Sequence, residues 1–228
     1  STSLMVVSTA PSSTKFDHAV LESDYNCMTI GSTINIEAIG VSATGNRTEL
    51  PEGTYLELSD SRWGTITEDG TFTASRLGSV DVNLMLDGEI IGSKTISVIV
   101  PDNIYFAKDP IDAVYGEKIK LPLVLTYQNK KIAFNSNDYV LSIAPSKAGV
   151  IEDTFFIGDE ASAIKVVKVK ACLANDEETN AETTINLYNQ GEATFDFDQA
   201  TGGGRDFAWY REVTNSTTED GKVYVPVN

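Results

Sequence analysis

The chain has 228 residues, of which 41% are hydrophobic, and its 33 acidic against 17 basic side chains give a formal net charge of -16. This much apolar sequence excludes disorder for most of the chain and allows one or two packed domains. The acidic balance argues against nucleic acid and anionic membrane surfaces as partners, because both would repel the chain. No apolar run approaches the roughly 18 residues that a membrane-spanning helix requires.

Short runs in which apolar and polar residues alternate occupy the first half of the chain. Turn signals separate them, among them Glu68-Asp69-Gly70 and Asp87-Gly88, and an Asp-Gly pair supplies the positive φ of a tight hairpin. Alternation with turns every ~8–12 residues is typical of an all-β sandwich, for which about seven strands are expected. The apolar positions expected to share faces are Ile34, Ile36 and Ala38; Val80, Val82, Leu84 and Leu86; and Ile96, Val98 and Val100. Asp81 and Asn83 are expected on the opposite, solvent face of their strand.

A particular order of residues runs from Ser59 to Val100. It comprises Ser-Asp, Gly-Thr-Ile, an acidic residue with Asp-Gly, Thr-Phe-Thr-Ala, Gly-Ser-Val, an alternating strand and a closing Ser-Val-Ile-Val. This order resembles the bacterial Ig-like domain, group 2, a module of cell-surface and secreted proteins. The resemblance extends more loosely over about 40 preceding residues, given the usual length of a sandwich. It implies an immunoglobulin-like fold and an extracellular location but no reaction, because sandwiches host many functions.

The second half of the chain repeats the first in outline. Gly116-Glu117-Lys118 stands where Gly31-Ser32-Thr33 stands in the first half, and alternating apolar positions follow both triplets. Pro101 ends the first half, and no long flexible linker follows it. We therefore predict tandem immunoglobulin-like β-sandwiches with restricted freedom, one over residues 1–101 with an N-terminal lead segment and a divergent copy over 102–190. Residues 191–228 are either the start of a third domain or a tail that packs on the second sandwich.

Residue types that commonly carry out catalysis are present but not grouped. His18 is the only histidine, and no Gly-x-Ser-x-Gly sequence supplies a nucleophile. The candidate carboxylates are predicted in turns, where they bond backbone groups, so no pair is marked as that of a glycosidase. They are Glu68, Asp69, Asp102, Asp153, Asp159, Glu160 and Asp176–Glu178. Cys27 and Cys172 fall in different predicted sandwiches, so we expect two small buried side chains rather than a disulfide or a zinc site. We predict that the chain is not an enzyme.

The segment after residue 190 contains the remaining candidate sites. Trp209 and Tyr210 stand in an aromatic cluster and could form a stacking platform for a sugar, although aromatic residues more often serve packing. Asp196, Asp198 and Asp206 flank a glycine-rich loop and offer the oxygen ligands that Ca²⁺ prefers. The spacing is not that of an EF-hand, so simple solvation of these acids is the alternative, and no other cofactor is expected.

These features favour a structural or adhesive module of an exported bacterial surface protein. Such a module acts as a semi-rigid spacer or takes part in recognition of a cell-wall, host-protein or glycan ligand through loops at the ends of the sandwiches. We expect a monomer located outside the cell. The alternative is an accessory, carbohydrate-binding portion of a larger secreted carbohydrate-active enzyme, because modules of the resembled family are commonly joined to catalytic domains.

Overall fold

The computed structural model describes residues 15–189 and the backbone of two further short strands. The described residues form strands and three 3-10 helices, with no α-helix among them. The first half contains β1 (Phe16–Glu22), β2 (Cys27–Met28), β3 (Thr33–Asn35), β4 (Glu37–Ser42), β5 (Arg47–Thr48), β6 (Tyr55–Leu58), η1 (Ser61–Trp63), β7 (Gly64–Ile66), β8 (Thr71–Ala74), β9 (Gly78–Leu86) and β10 (Glu89–Val98).

The second half follows the same plan. It contains β11 (Asn103–Phe106), β12 (Ile111–Val114), β13 (Lys118–Lys120), β14 (Leu123–Tyr127), β15 (Lys130–Lys131), β16 (Tyr139–Ala144), η2 (Ser146–Ala148), β17 (Gly149–Glu152), β18 (Phe155–Gly158), η3 (Glu160–Ser162), β19 (Val166–Leu173) and β20 (Asp176–Tyr188). The strands β21 (Thr217–Glu219) and β22 (Lys222–Tyr224) pair with each other.

The strand order of the sheets recurs along the chain. The first ten strands form the sheets β1-β4-β5, β2-β10-β9-β6 and β3-β8-β7. The next ten form β11-β14-β15, β12-β20-β19-β16 and β13-β18-β17, so each sheet has a counterpart with corresponding members. The predicted all-β class is therefore confirmed, and the sheets suit immunoglobulin-like sandwiches.

The described residues fall into two compact units. Unit 1 contains residues 15–105, 124–140 and 172–180, and unit 2 contains residues 106–123, 141–171 and 181–189. Both cysteines lie in unit 1, as free and half-buried thiols. The predicted division of the chain after residue 101 stays a prediction.

The core of unit 1 comes from the alternating positions of its strands. Val80, Val82 and Leu84 of β9 are buried as predicted, and so are Ile96 and Val98 of β10. Because successive side chains of a strand point to opposite faces, one continuous apolar row from each strand reaches the interior. Other buried members of this core are Leu21, Met28, Ile34, Ile36, Leu58, Phe72, Ala74 and Ala133.

Two details of this alternation differ from the prediction. Val100 was expected on the buried face, but β10 ends at Val98 and Val100 is 45% exposed. Asn83 was expected on the solvent face, yet it is buried, and its Oδ1 accepts a hydrogen bond of 2.8 Å from the Ser93 hydroxyl. A buried amide is tolerated because this partner satisfies it.

The alternating run from Ile34 to Ala38 was predicted as one strand and is two. The break falls at Ile36, whose N–H donates to the Gly70 oxygen at 2.9 Å, so β3 belongs to one sheet and β4 to another. Gly70 has a φ of +86°, and a Cβ there would lie 2.1 Å from the Ile36 oxygen. The close approach therefore requires glycine, and such breaks raise the number of strands above the expected seven.

The core of unit 2 is built in the same way. The buried positions of β19 alternate at Val167 and Val169, and Ile185 and Leu187 of β20 complete the row. Strand β12 pairs with β20 in parallel, with Ile111 opposite Ile185. The remaining buried members of this core are Ile111, Ala113, Leu121, Ala148 and Phe156.

Candidate functional site

A short parallel pairing inside unit 1 joins two segments that are far apart in sequence. Met28 of β2 forms a parallel bridge with Ala133. The Thr29 N–H donates to the Ala133 oxygen at 3.0 Å, and the Ala133 N–H donates to the Cys27 oxygen at 3.1 Å. Ala133 is buried in the unit 1 core. A segment that the sequence assigned to the second sandwich is thus part of unit 1.

Polar side chains surround this pairing and form what we call the Asp138 cluster: Thr29, Ser32, Asn135 and Asp138. The Asp138 Oδ2 accepts from the Thr29 hydroxyl at 2.6 Å and from the Asn135 N–H at 2.7 Å. The Asn135 amide nitrogen donates to the Ile30 oxygen at 2.8 Å. Short bonds to a carboxylate are the stronger class of hydrogen bond, so the cluster holds residues 29 and 138 firmly together.

Burial explains why the Asp138 cluster must stay paired. Thr29 is 1% exposed and Ser32 is 2% exposed, so neither hydroxyl can turn to bulk water. The Ser32 hydroxyl donates to the Thr29 oxygen at 2.8 Å, which completes its bonding inside the protein. A buried hydroxyl without a partner would destabilise the fold, and each of these has one.

A second feature of unit 1 is a surface groove of about 670 Å³ between β6 and β7. Residues 56–61 and 64–66 line it. Strand β6 is the last strand of the sheet β2-β10-β9-β6, and β7 is the last strand of β3-β8-β7. The groove therefore lies between the edges of two different sheets, and we call it the edge groove.

The ladder of β6 shows which of its backbone groups face the edge groove. Tyr55 lies opposite Met85 and Leu58 opposite Val82, and the N–H of Ser59 donates to the Asp81 oxygen at 2.8 Å. Hydrogen-bonding positions alternate along an antiparallel strand, so the N–H and C=O groups of residues 56 and 58 point away from β9.

The opposite wall repeats this arrangement. The Thr67 N–H donates to the Thr71 oxygen at 3.1 Å, and the Ser75 N–H donates to the Trp63 oxygen at 2.8 Å. By the same alternation, the backbone groups of residues 64 and 66 in β7 point away from β8. Both walls of the edge groove consequently present backbone donors and acceptors that no described strand pairs with.

Asp60 and Arg62 form an ion pair at one end of the edge groove. The Arg62 guanidinium reaches both carboxylate oxygens of Asp60, at 3.0 Å from Nε and 2.6 Å from a terminal nitrogen. The Arg62 N–H also donates to Asp60 Oδ1 at 2.9 Å, which caps η1. Hydrogen bonding to Arg62 lowers the pKa of Asp60 from 3.8 to about 2. The pair itself has no net charge, and the positive charge of Arg76 also acts on Asp60.

The other acids with lowered pKa values bond neighbouring hydroxyl and backbone groups. Hydrogen bonding by the Thr67 hydroxyl, with the Thr71 N–H, lowers the pKa of Asp69. The Thr179 hydroxyl lowers the pKa of Asp176 in the same way. Asp69 lies in a turn, which is a common position for aspartate, whereas Asp176–Glu178, which were predicted in a turn, begin β20. Within residues 15–189, no three His, Cys, Asp or Glu side chains come together in a way that would hold a metal ion.

None of the five sequence-predicted site residues is among the residues that the structure describes. Trp209, Tyr210, Asp196, Asp198 and Asp206 fall outside the described residues. The sugar-binding and calcium hypotheses that rest on them stay predictions.

His18 lies on the surface of β1, and its Nδ1 is 2.9 Å from Asp17 Oδ2. An exposed neighbouring pair of this kind is common on protein surfaces.

Sequence reasoning missed the Asp138 cluster and the edge groove. The cluster has a local signal, the polar run Asn135-Ser136-Asn137-Asp138, which indicates a turn. No local pattern predicts that Asp138 bonds to Thr29, which is 109 positions away. The edge groove depends on which strands end a sheet, and strand order is not readable from alternation alone.

The fold and these two features define an all-β protein of immunoglobulin-like sandwiches. No protein-family model matches the chain, and no curated protein matches it. Among the part of the chain that is described, no helix has the length and hydropathy needed to cross a membrane.

Several solved structures of bacterial proteins are similar at low identity. Domains 4 and 5 of the S-layer protein SbsC are 12% identical, with a TM-score of 0.30, and the match covers 76% of this chain and 98% of that one. Invasin, a bacterial integrin-binding protein, is 14% identical with a TM-score of 0.32, over 76% of this chain and 40% of invasin.

The adhesin FdeC of Escherichia coli is also 14% identical, with a TM-score of 0.26, over 76% of this chain and 65% of that one. The chain thus spans less than two thirds of the invasin and FdeC structures that it matches. Likenesses of this strength describe the fold and carry no argument about activity.

Proposed function

We propose that this chain is a non-catalytic module of an exported bacterial surface protein and acts outside the cell as a semi-rigid spacer. In this proposal it consists of tandem sandwiches of the bacterial Ig-like type, group 2, with the second copy divergent. Recognition of a cell-wall, host-protein or glycan ligand would accompany the spacer role. The observation that carries the proposal is the Asp138 cluster.

The Asp138 cluster supports a spacer because, inside unit 1, it bonds a segment that precedes Pro101 to one that follows it. Segment 133–138 lies well beyond Pro101, yet Thr29 and Ile30 bond to Asn135 and Asp138. Segments joined only by a linker are free to reorient, whereas these bonds inside unit 1 restrict the segment that follows Pro101. A spacer needs this restriction, because a freely jointed chain cannot hold its cargo at a set distance.

The chemistry of the acids supports the non-catalytic part of the proposal. Catalytic carboxylates usually have a raised pKa caused by burial or by a neighbouring carboxylate. The resolved shifts of Asp60, Asp69 and Asp176 are downward, and hydrogen bonds are their main cause. Such groups suit turn closure and capping rather than proton transfer.

The experiment measures the spread of distances between two spin labels. Labels at Glu52→Cys and Lys130→Cys, in a background of Cys27→Ala and Cys172→Ala, place both nitroxides on exposed positions of unit 1, one before Pro101 and one after it. Double electron–electron resonance should give one narrow distance distribution in this parent protein, and Asp138→Ala should broaden it.

Asp17→Ala is the matched control, because Asp17 is an exposed acid of unit 1 whose partner is the neighbouring His18. This control should leave the width unchanged. A broad distribution in the parent would contradict the spacer role. A narrow one that Asp138→Ala does not change would show that the Asp138 cluster does not supply the stiffness.

A further inference from the structure

We infer that the edge groove is a binding site for an extended peptide strand of a partner protein, in which basic side chains alternate with small apolar ones. The strand would add to the free edge of β6. This inference goes beyond the spacer role and does not rest on it, because the groove lies on β6 and β7 whereas the spacer argument uses residues 27–32 and 133–138.

The first step of the argument is the open hydrogen-bonding edge. The N–H and C=O groups of Leu56 and Leu58 point away from β9, and no other described strand pairs with β6. An extended peptide satisfies such groups by continuing the ladder, and main-chain bonds then supply much of the affinity. Natural proteins usually shield long edges, so an edge that borders a groove of about 670 Å³ is a candidate for occupation.

The second step concerns the side chains that an added strand would meet. On the outer face of β6, Tyr55 is 51% exposed and Glu57 is exposed. On the inner face, Leu56 is half-buried and faces the core of unit 1. Because side chains alternate along a strand, one set of partner side chains would lie beside Tyr55 and Glu57 and the other set would enter the groove.

Charge decides which side chains suit the outer face. Asp60 at the end of the groove is neutralised by Arg62, whereas Glu57 makes no ion pair with the described residues. Arg76 acts on Asp60 at that end, whereas Glu57 is the charged side chain of β6 itself, and the net charge of -16 has the same sign as Glu57. Opposite charges on directly paired strands stabilise the pairing and like charges oppose it, so lysine or arginine is expected opposite Glu57.

The same reasoning disfavours a second copy of this chain as the occupant. Antiparallel pairing of β6 with itself would bring two Glu57 side chains near each other and would join two chains of charge -16. Small apolar side chains are expected in the other set, because the inner space is bounded by half-buried Leu56 and Ile66.

The test uses the full chain labelled with ¹⁵N and two synthetic hexapeptides, acetyl-KVKVKV-amide and acetyl-EVEVEV-amide. The lysine peptide should slow amide hydrogen exchange at Leu56 and Leu58 by about tenfold or more at saturation, because exchange requires the new bonds to open. The glutamate peptide should bind more weakly. Chemical shifts that do not change at about 5 mM lysine peptide, a concentration that would detect even millimolar affinity, would overturn the proposal.

Two variants test the edge and the charge separately. Leu56→Pro removes the N–H that faces the groove while leaving the bonds to β9, and Leu56→Ala is its control for the lost side chain. The proline variant should bind the lysine peptide about tenfold more weakly than the alanine variant, which is roughly the contribution of one hydrogen bond. If the proline variant does not fold, Glu57→Lys still tests the site, and it should weaken lysine-peptide binding about fivefold while strengthening glutamate-peptide binding.

Three other results would overturn the inference. The first is lysine-peptide binding without slowed exchange at Leu56 and Leu58, since the strand would then add elsewhere. The second is equal affinity for the two peptides. The third is slowed exchange at these amides without peptide, together with a dimer in sedimentation, since the occupant would then be a second copy. None of these results bears on the spin-label distances, so failure of the site and failure of the spacer role are distinguishable.

Discussion

Thr29 and Asp138 stand 109 positions apart in the chain, and their side chains are joined by a hydrogen bond of 2.6 Å. The hydroxyl is buried, and the carboxylate also accepts the Asn135 N–H. A bond between a buried hydroxyl and a carboxylate is costly to break, because the hydroxyl that remains cannot reach water. This relationship links the fold of unit 1 to the proposed spacer role.

Removal of this carboxylate should destabilise the protein. Asp138→Ala leaves the Thr29 hydroxyl and the Asn135 N–H without their acceptor, so we expect a loss of about 1–3 kcal/mol in the free energy of unfolding by urea. Thr29→Val keeps the shape and should cost about 1 kcal/mol. The double variant should cost less than the sum of the two, because both changes remove the same bond.

Asp17→Ala is the control for this series and should change the free energy of unfolding by less than about 0.5 kcal/mol, since an exposed pair contributes little. Additive effects of Thr29→Val and Asp138→Ala would show that the hydrogen bond is not formed in solution.

Two glycines occupy corresponding positions at the starts of β7 and β17. A Cβ at Gly64 would lie 2.1 Å from the Thr73 oxygen, and a Cβ at Gly149 would lie 2.2 Å from the Ile157 oxygen. Because backbone oxygens cannot move out of the way of a Cβ without strain, Gly64→Ala and Gly149→Ala should each lower the free energy of unfolding by about 1–3 kcal/mol or more. Gly92→Ala, whose nearest contact would be an ordinary 3.4 Å, is the control, and thermal unfolding is the measurement. Equal melting temperatures for the three variants would contradict the close approach.

The ion pair of Asp60 with Arg62 predicts how the stability of the protein depends on pH. The pKa of Asp60 is lowered from 3.8 to about 2 in the folded protein, so its stabilising effect is present above pH 3.8 and is lost as the pH falls from there to about 2. Arg62→Ala should raise the pKa of Asp60 toward 3.8, and the difference in stability between the parent and this variant should shrink over the same interval. Carboxyl titration by NMR measures the pKa directly. An unchanged pKa in Arg62→Ala would show that the guanidinium is not its cause.

The carbohydrate hypothesis makes a separate prediction. If Trp209 and Tyr210 form a stacking platform, the chain should bind a defined glycan on an array, and Trp209→Ala should weaken that binding by about tenfold or more. The control is Trp63→Phe, because Trp63 packs on the unit 1 core and Gly78 and is not one of the proposed sugar contacts. Specific glycan binding that survives Trp209→Ala would assign the contact to other residues, and an array without binding would leave the accessory role unsupported.

Local patterns predicted some features well and failed at others for identifiable reasons. The rows Val80, Val82 and Leu84 were recognised because a buried sheet face requires alternation. The break at Ile36 was not recognised, because the residues on both sides of it alternate equally well. Only the approach of Gly70 assigns them to different sheets. Burial of Asn83 was missed for a similar reason, since its partner Ser93 lies on another strand.

By itself, the sequence determined that this protein is all-β and where many of its strands run, because these properties depend on neighbours a few positions apart. Only the tertiary structure decided which strands end a sheet, that Thr29 meets Asp138, and that two open edges border one groove. Those relationships arise from the folding of distant segments onto each other, and the free energy that fixes them lies in contacts that no short window of sequence contains.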